Sequence, residues 1–147
     1  MSPSRQGATV TQTSIPLSQI ELFTELSAKE LKEVSRFLTR VSVAEGKDLT
    51  VQGEVGREFM IVVEGTASVR RNGRLIAKLG PGDFFGELAV IAGVPRTATV
   101  TADTPMVVEA LNRREFSSLL DRSPKLARKI LIGAVKRLHQ IEDGLVR

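Results

Sequence analysis

Cysteine, tryptophan and tyrosine are missing from this 147-residue chain, and histidine occurs once, at His139. Without cysteine, and with a single imidazole, neither a Cys–His nucleophile pair nor a multi-histidine metal site can be assembled. Phenylalanine is the only aromatic residue type, so the tyrosine and tryptophan platforms on which single-stranded nucleic acids usually stack are lacking. No apolar run approaches the roughly 20 residues of a membrane helix, and the polar stretch from Met1 to Thr13 has no signal-peptide core. A carboxylate pair is available by count, but none has the spacing or surroundings that suggest acid–base work. These absences argue against an enzyme and for a binding protein, with no catalytic residue and no metal ligand expected. The lack of cysteine and of a leader agrees with a cytoplasmic location.

The rest of the composition is ordinary for a globular chain, with 41% hydrophobic and 26% charged residues, and the length suits one domain with its own core. A net charge of +4 and a pI near 9.9 raise the question of nucleic acid. The arginines, however, are scattered, as at Arg36, Arg40, Arg57, Arg70, Arg71, Arg74, Arg113 and Arg114. Scattered solvated arginine is the simpler reading, and DNA binding is not expected.

Pattern divides the chain into four parts. Residues 1–13 read as a loose tail rich in Ser, Thr and Gln. Over 14–40, Leu17 to Phe23 suggests a short helix, and Ser27 with Glu30 forms a capping box ahead of Leu31, Val34, Phe37 and Leu38 at helical spacing. Over 41–111 the pattern changes to short runs of Val, Ile and Thr punctuated by glycines, which predicts a barrel of about eight strands. Asn72-Gly73, between Ala67 to Arg71 and Arg74 to Leu79, is the strongest hairpin signal. Over 112–147 helix returns, with Asn112 and Glu115 as a second capping box and Ser123-Pro124 opening a long helix. Ala127, Leu131, Ala134, Leu138, Ile141 and Leu145 make a heptad seam, which suits a homodimer through 124–143. Ile130, Ile132 and Val135 widen the stripe, which suits packing on the chain's own barrel; both readings stand. Lys125, Arg128, Lys129, Lys136 and Arg137 read as its wet face.

The most informative stretch lies inside the strand region, from Gly80 to Ala98. Gly82 and Gly86 can take backbone angles that other residues resist, which predicts a tight turn. Leu88, Ala89, Val90 and Ile91 then read as one short helical turn whose first amides have no intrahelical partner and can face an anion. Glu87 opens that turn, and its acceptor-only carboxylate suits a sugar hydroxyl. Arg96 offers a fork of donors for phosphate oxygens, and Ala98 is small enough to leave the approach open. A plain ion pair between Glu87 and Arg96 is the competing structural explanation. The glycine spacing G-x-G-x-x-x-G is not the dinucleotide fingerprint, and no Walker-type lysine follows.

Phe85-Gly86-Glu87-Leu88-Ala89 followed by Pro95-Arg96-Thr97-Ala98-Thr99-Val100 resembles the phosphate-binding cassette of the cyclic nucleotide-binding domain, of the catabolite activator protein and protein kinase A regulatory subunit type. Gly46-Lys47-Asp48-Leu49, Gln52-Gly53-Glu54 and Phe59 to Gly65 resemble that family's strands and turns, so the similarity spans roughly residues 17–143. A cupin shares the small barrel but usually holds metal through several histidines, and none occurs between residues 40 and 111. The resemblance implies an α+β fold: an eight-stranded antiparallel β-barrel of the double-stranded β-helix or jelly-roll kind, flanked by N-terminal and C-terminal helices, with the cassette at 82–98. It implies that Glu87 receives the ribose 2′-hydroxyl and Arg96 the cyclic phosphate. The amides of Gly86, Leu88 and Ala89 and the Thr97 hydroxyl complete the phosphate contacts beside Ala98. Thr97 suits cyclic AMP binders and members that prefer cyclic GMP; cyclic AMP is favoured. With no Trp or Tyr, the base should be covered by aliphatic side chains or an arginine plane from the last helix. The expected function is a sensor or regulatory domain whose C-terminal helices pass the signal to a protein partner or downstream domain, since no helix-turn-helix follows the long helix. The alternative is a degenerate module that keeps the fold and binds no nucleotide.

Overall fold

The computed structural model describes residues 16–146, so the expected tail over 1–13 lies outside the described residues. Eight strands follow the first helices: β1 (Thr39–Val43), β2 (Asp48–Thr50), β3 (Glu58–Glu64), β4 (Ala67–Arg71), β5 (Arg74–Leu79), β6 (Phe84–Phe85), β7 (Thr99–Ala102) and β8 (Met106–Asn112). They make two four-stranded sheets, in the orders β1-β8-β3-β6 and β2-β7-β4-β5, with every pairing antiparallel. The fold is the jelly roll with flanking helices, but the sheets do not close into one hydrogen-bonded barrel as expected. The edge strands β2 and β6, of 3 and 2 residues, are too short to carry a ladder across.

The strand β3 explains how the layers are held. Successive side chains on a strand point to opposite faces, and here both faces are covered. Met60 and Val62 point into the core between the sheets, with Leu79, Phe85, Val100 and Met106. Phe59, Ile61 and Val63 point the other way, into a second core with Phe84, Val90, Phe116, Leu119, Leu126 and Ile130. The Phe59 ring lies 4.5 Å from that of Phe116 and 5.5 Å from that of Phe84. A strand buried on both sides has to be apolar throughout, which is why Phe59 to Val63 is an unbroken run.

Local signals set the ends of the elements. Asn72 and Gly73 have φ of 53° and 77°, the left-handed pair that a tight hairpin turn requires. Helix α1 (Ala28–Ser35) starts at Ser27 with both halves of its capping box, Glu30 N to Ser27 Oγ at 3.1 Å and Ser27 N to Glu30 Oε1 at 2.9 Å. Next in the chain, α2 (Glu87–Ala92) sits between β6 and β7, and α3 (Arg113–Arg122) starts at Asn112 with a second box, both bonds 2.8 Å. Asn112→Ala should lower stability by about 1 kcal/mol, read as a fall of about 2–4 °C in the thermal midpoint. An unchanged midpoint would remove the cap from the account. The expected helix at 17–23 is instead two 3-10 turns, Leu17–Gln19 and Glu21–Phe23, because Ile20 between them is extended and wholly buried.

Helix α4 (Pro124–Val146) begins with proline at its first position, and the Ser123 hydroxyl accepts from Leu126 N at 3.3 Å. Its packed stripe runs through Leu126 and Ile130, whereas Leu131, Val135 and Leu138 are more than half exposed. The helix therefore uses one face on its own domain and leaves Leu131 of the heptad seam outward. Ile141 and Leu145 lie outside the described side chains. No described helix is long and apolar enough to cross a membrane.

Candidate functional site

At the end of β6 the chain turns sharply at Gly86, with φ of 91°, and enters α2. A Cβ on Gly86 would lie 2.6 Å from Arg96 Nη1 and 2.7 Å from the Glu58 carbonyl oxygen. Glycine is needed twice over here, for the left-handed angle and for the space. Arg96 fills that space. Its Nη2 donates to Glu58 O at 2.8 Å and its Nη1 to Gly86 O at 3.5 Å. The Arg96 backbone is clamped by the loop before β3, through Arg96 N to Glu54 O at 2.8 Å and Gly53 N to Arg96 O at 2.9 Å.

Arg96 is a buried cation, 8% exposed. Burial pushes its pKa down, while the Glu58 and Glu87 carboxylates pull it up. Arginine stays protonated in such a balance, and two carbonyls engage only part of its set of five N–H donors. The remaining donors give a cleft-lining group that is charged, fixed in position and suited to an anion.

Glu87 and Arg96 do not form the ion pair that the sequence left open. Glu87 instead accepts from Arg137 Nη1 of α4 at 2.9 Å, in a pair whose side chains are 12% and 27% exposed. The Arg137 guanidinium lies 5.0 Å over the Phe84 ring and also donates to the Phe84 carbonyl. Thr97 is exposed, and its carbonyl accepts from Arg71 Nε at 3.2 Å. The Ala98 carbonyl accepts from Thr50 Oγ1 at 3.0 Å.

One cleft of about 820 Å³, including its open mouth, is lined by Gly86, Glu87, Leu88, Ala89, Arg96, Thr97 and Ala98 together. The second sheet adds Val69, Arg71, Ile76, Leu79 and Val100, and α4 adds Ala134, Arg137 and Leu138. The lining thus combines a charged and hydroxyl-bearing group, Glu87, Arg96 and Thr97, with aliphatic walls. The arrangement fits a small anion carrying hydroxyl groups and a flat, less polar part.

Arg137 corrects the reading of the basic residues of α4 as a wet face. It stands seven residues after Ile130 and eleven after Leu126, so it continues the packed stripe and reaches the cleft. That spacing, together with Gly133 in the middle of the helix, was the available signal. Lys129 also departs from the wet face, donating to Glu21 O at 2.7 Å and Thr24 Oγ1 at 2.8 Å. On the far side of the cassette, Val90 is buried in the helix-side core, and its carbonyl accepts from Arg113 Nε of α3 at 3.1 Å. The cassette is therefore wired to both C-terminal helices.

Comparison with known proteins agrees with this geometry. The family model for the cyclic nucleotide-binding domain matches residues 40–123. A cAMP-dependent protein kinase regulatory subunit of Mycosarcoma maydis is 39% identical over 113 residues, which is 71% of this chain and 22% of that protein. A cyclic nucleotide-gated potassium channel of Mesorhizobium japonicum is 38% identical over 111 residues, 76% of this chain and 31% of that protein. The chain thus spans less than a third of the length of either relative. Among solved structures, PKAR CBD2 bound to Sp-2Cl-cAMPS superposes with a TM-score of 0.77 at 28% identity, covering 87% of this chain and 85% of that one.

Proposed function

The chain belongs to the cyclic nucleotide-binding domain family, and on that premise we propose that its cleft binds a cyclic nucleotide, cyclic AMP in preference to cyclic GMP, and that α3 and α4 carry the signal onward. The observation that carries this reading is Arg96: a buried guanidinium with donors to spare, on the same cleft as a carboxylate it does not pair with. Arg96 takes the cyclic phosphate, helped by the amides of Gly86, Leu88 and Ala89 and by the Thr97 hydroxyl, with Ala98 leaving the approach clear. Glu87 accepts from the ribose 2′-hydroxyl. The base lies against α4, where Arg137 offers a plane and Leu138 an aliphatic cover. The preference for cyclic AMP is supported by the names of the kinase relative and of the solved structure.

Transmission follows from the same contacts. Arg137 occupies one oxygen of Glu87 and leaves the other for a ribose hydroxyl, so ligand and helix meet on one carboxylate. A ligand moves the balance between two helix positions only by its different affinity for each. Val90 and Arg113 give the cassette a second route, into α3. The role is regulatory and non-catalytic, in the cytoplasm, with a protein partner or further domain as receiver; the outward side chain of Leu131 suits a second copy of the chain.

Calorimetric titration with both cyclic nucleotides tests this reading. Saturable one-site binding, tighter for cyclic AMP, is expected. No heat and no thermal shift with either nucleotide at millimolar concentration would favour the degenerate module.

A further inference from the structure

The two halves of α4 are held differently. Leu126 and Ile130 fix the first half in the core around Phe59, Phe84 and Phe116. Beyond Ile130, the large apolar side chains Leu131, Ile132, Val135 and Leu138 are at least 43% exposed. The inward contacts of that second half include, among the described residues, Gly133 against Phe84 and Arg137 on Glu87 and Phe84.

Gly133 has ordinary helical backbone, so no turn or strain requires glycine there. Glycine is moreover a poor helix former, and a glycine inside a helix needs a packing reason. That reason is Phe84. A Cβ on residue 133 would stand 2.6 Å from Phe84 Cζ and 2.9 Å from Cε2. The ring has little freedom to move aside, since Phe59 lies 5.5 Å away, the Arg137 guanidinium lies over it, and its backbone is paired with Ile61 in the sheet. An added methyl group has to be accommodated by the helix. Arg137 is one turn further along, about 6 Å up the axis at 1.5 Å per residue, and so moves with it.

We propose that Gly133 is a positioning residue, the notch that lets the second half of α4 sit on Phe84 and bring Arg137 and Leu138 over the cleft, so that a side chain at 133 lifts this half and shortens the residence of the bound cyclic nucleotide. The proposal rests on the cyclic nucleotide reading of the cleft and adds to it what sets the closed position of the covering helix. A merely structural glycine would show the opposite pattern, because alanine is the better helix former and would leave dissociation unchanged.

The test uses the full chain. Since it has no cysteine, Val55→Cys and Val135→Cys, both at exposed positions, carry the only two spin labels. In Gly133→Ala the distance between labels should lengthen or broaden, and dissociation of cyclic AMP should speed up roughly tenfold with a smaller change in association. Gly133→Val should exceed it in both. Phe84→Leu removes the tip of the ring, so the Gly133→Ala step should have a much smaller effect on dissociation in that background. An unchanged distance with an unchanged dissociation rate would overturn the notch. Failure of the unmodified chain to bind either cyclic nucleotide would overturn the reading of the cleft instead. In that case the distances alone decide the notch, lengthened in support and unchanged against.

Discussion

Arg96→Ala is expected to weaken cyclic AMP binding by at least tenfold in calorimetric titration. Truncating one partner of a buried, charge-assisted contact costs about 2–5 kcal/mol, and each 1.4 kcal/mol is about a factor of ten in affinity. The structure adds a second consequence. Arg96 also donates to the Glu58 carbonyl at 2.8 Å, a bond that alanine removes, whereas the Gly86 carbonyl keeps the Val90 amide. A loss of about 1–3 kcal/mol of stability should therefore accompany the loss of affinity. Arg96→Lys separates the two effects. It keeps the charge but not the planar fork, and should fall between the native chain and the alanine variant. Affinity equal to that of the native chain in Arg96→Ala would end the assignment of the phosphate to this side chain.

The second large effect is expected from one methyl group at Gly86. Alanine there must adopt a φ near 91°, which costs an ordinary residue roughly 1–2 kcal/mol. Its Cβ must also fit 2.7 Å from the Glu58 carbonyl oxygen and 2.6 Å from Arg96 Nη1. The carbonyl belongs to β3 and is held in the sheet, so the guanidinium or the turn has to give way. Gly86→Ala should lower the thermal midpoint by more than about 4 °C, taking about 2–4 °C per kcal/mol for a chain of this size. It should also abolish binding at nucleotide concentrations that saturate the native chain. Gly73→Ala is the matching control. Residue 73 also has positive φ, 77°, but a Cβ there meets nothing within 4 Å. That variant should lose stability and keep its affinity. Equal effects of the two substitutions on binding would show that Gly86 acts through strain alone and not through the room it leaves for Arg96.

The parts of this protein that could be read from sequence are those fixed by near neighbours in the chain. The boxes at Ser27 and Asn112 need only a residue and its third neighbour, and the hairpin needs only Asn72-Gly73 between two alternating runs. That Gly86 to Ala89 and Arg96 to Ala98 meet on one cleft was legible because one turn and one short loop carry all of them. Arg137 was harder to see. Its place depends on how α4 is rotated about its own axis, and that rotation is set by Leu126 and Ile130 meeting rings from β3, β6 and α3. A heptad count along the helix marks a second apolar stripe without saying which stripe faces inward. That the two sheets stay unclosed was hidden for a different reason, because Asp48–Thr50 and Phe84–Phe85 are too short for an alternating pattern to reveal where a strand ends.

Strand β3 belongs to two cores at once, and this separates two kinds of change that most domains have to make together. Its even-numbered side chains, Met60 and Val62, support the layer beneath the cleft; its odd-numbered ones, Phe59, Ile61 and Val63, meet the helices. Substitution in the first set can retune what the cleft accepts, and substitution in the second can retune how firmly the helices are held. The layer under the cleft and the layer under the helices thus lie on opposite sides of a single strand, and the two sides are joined at the cassette, through Arg137 on Glu87 and Arg113 on Val90.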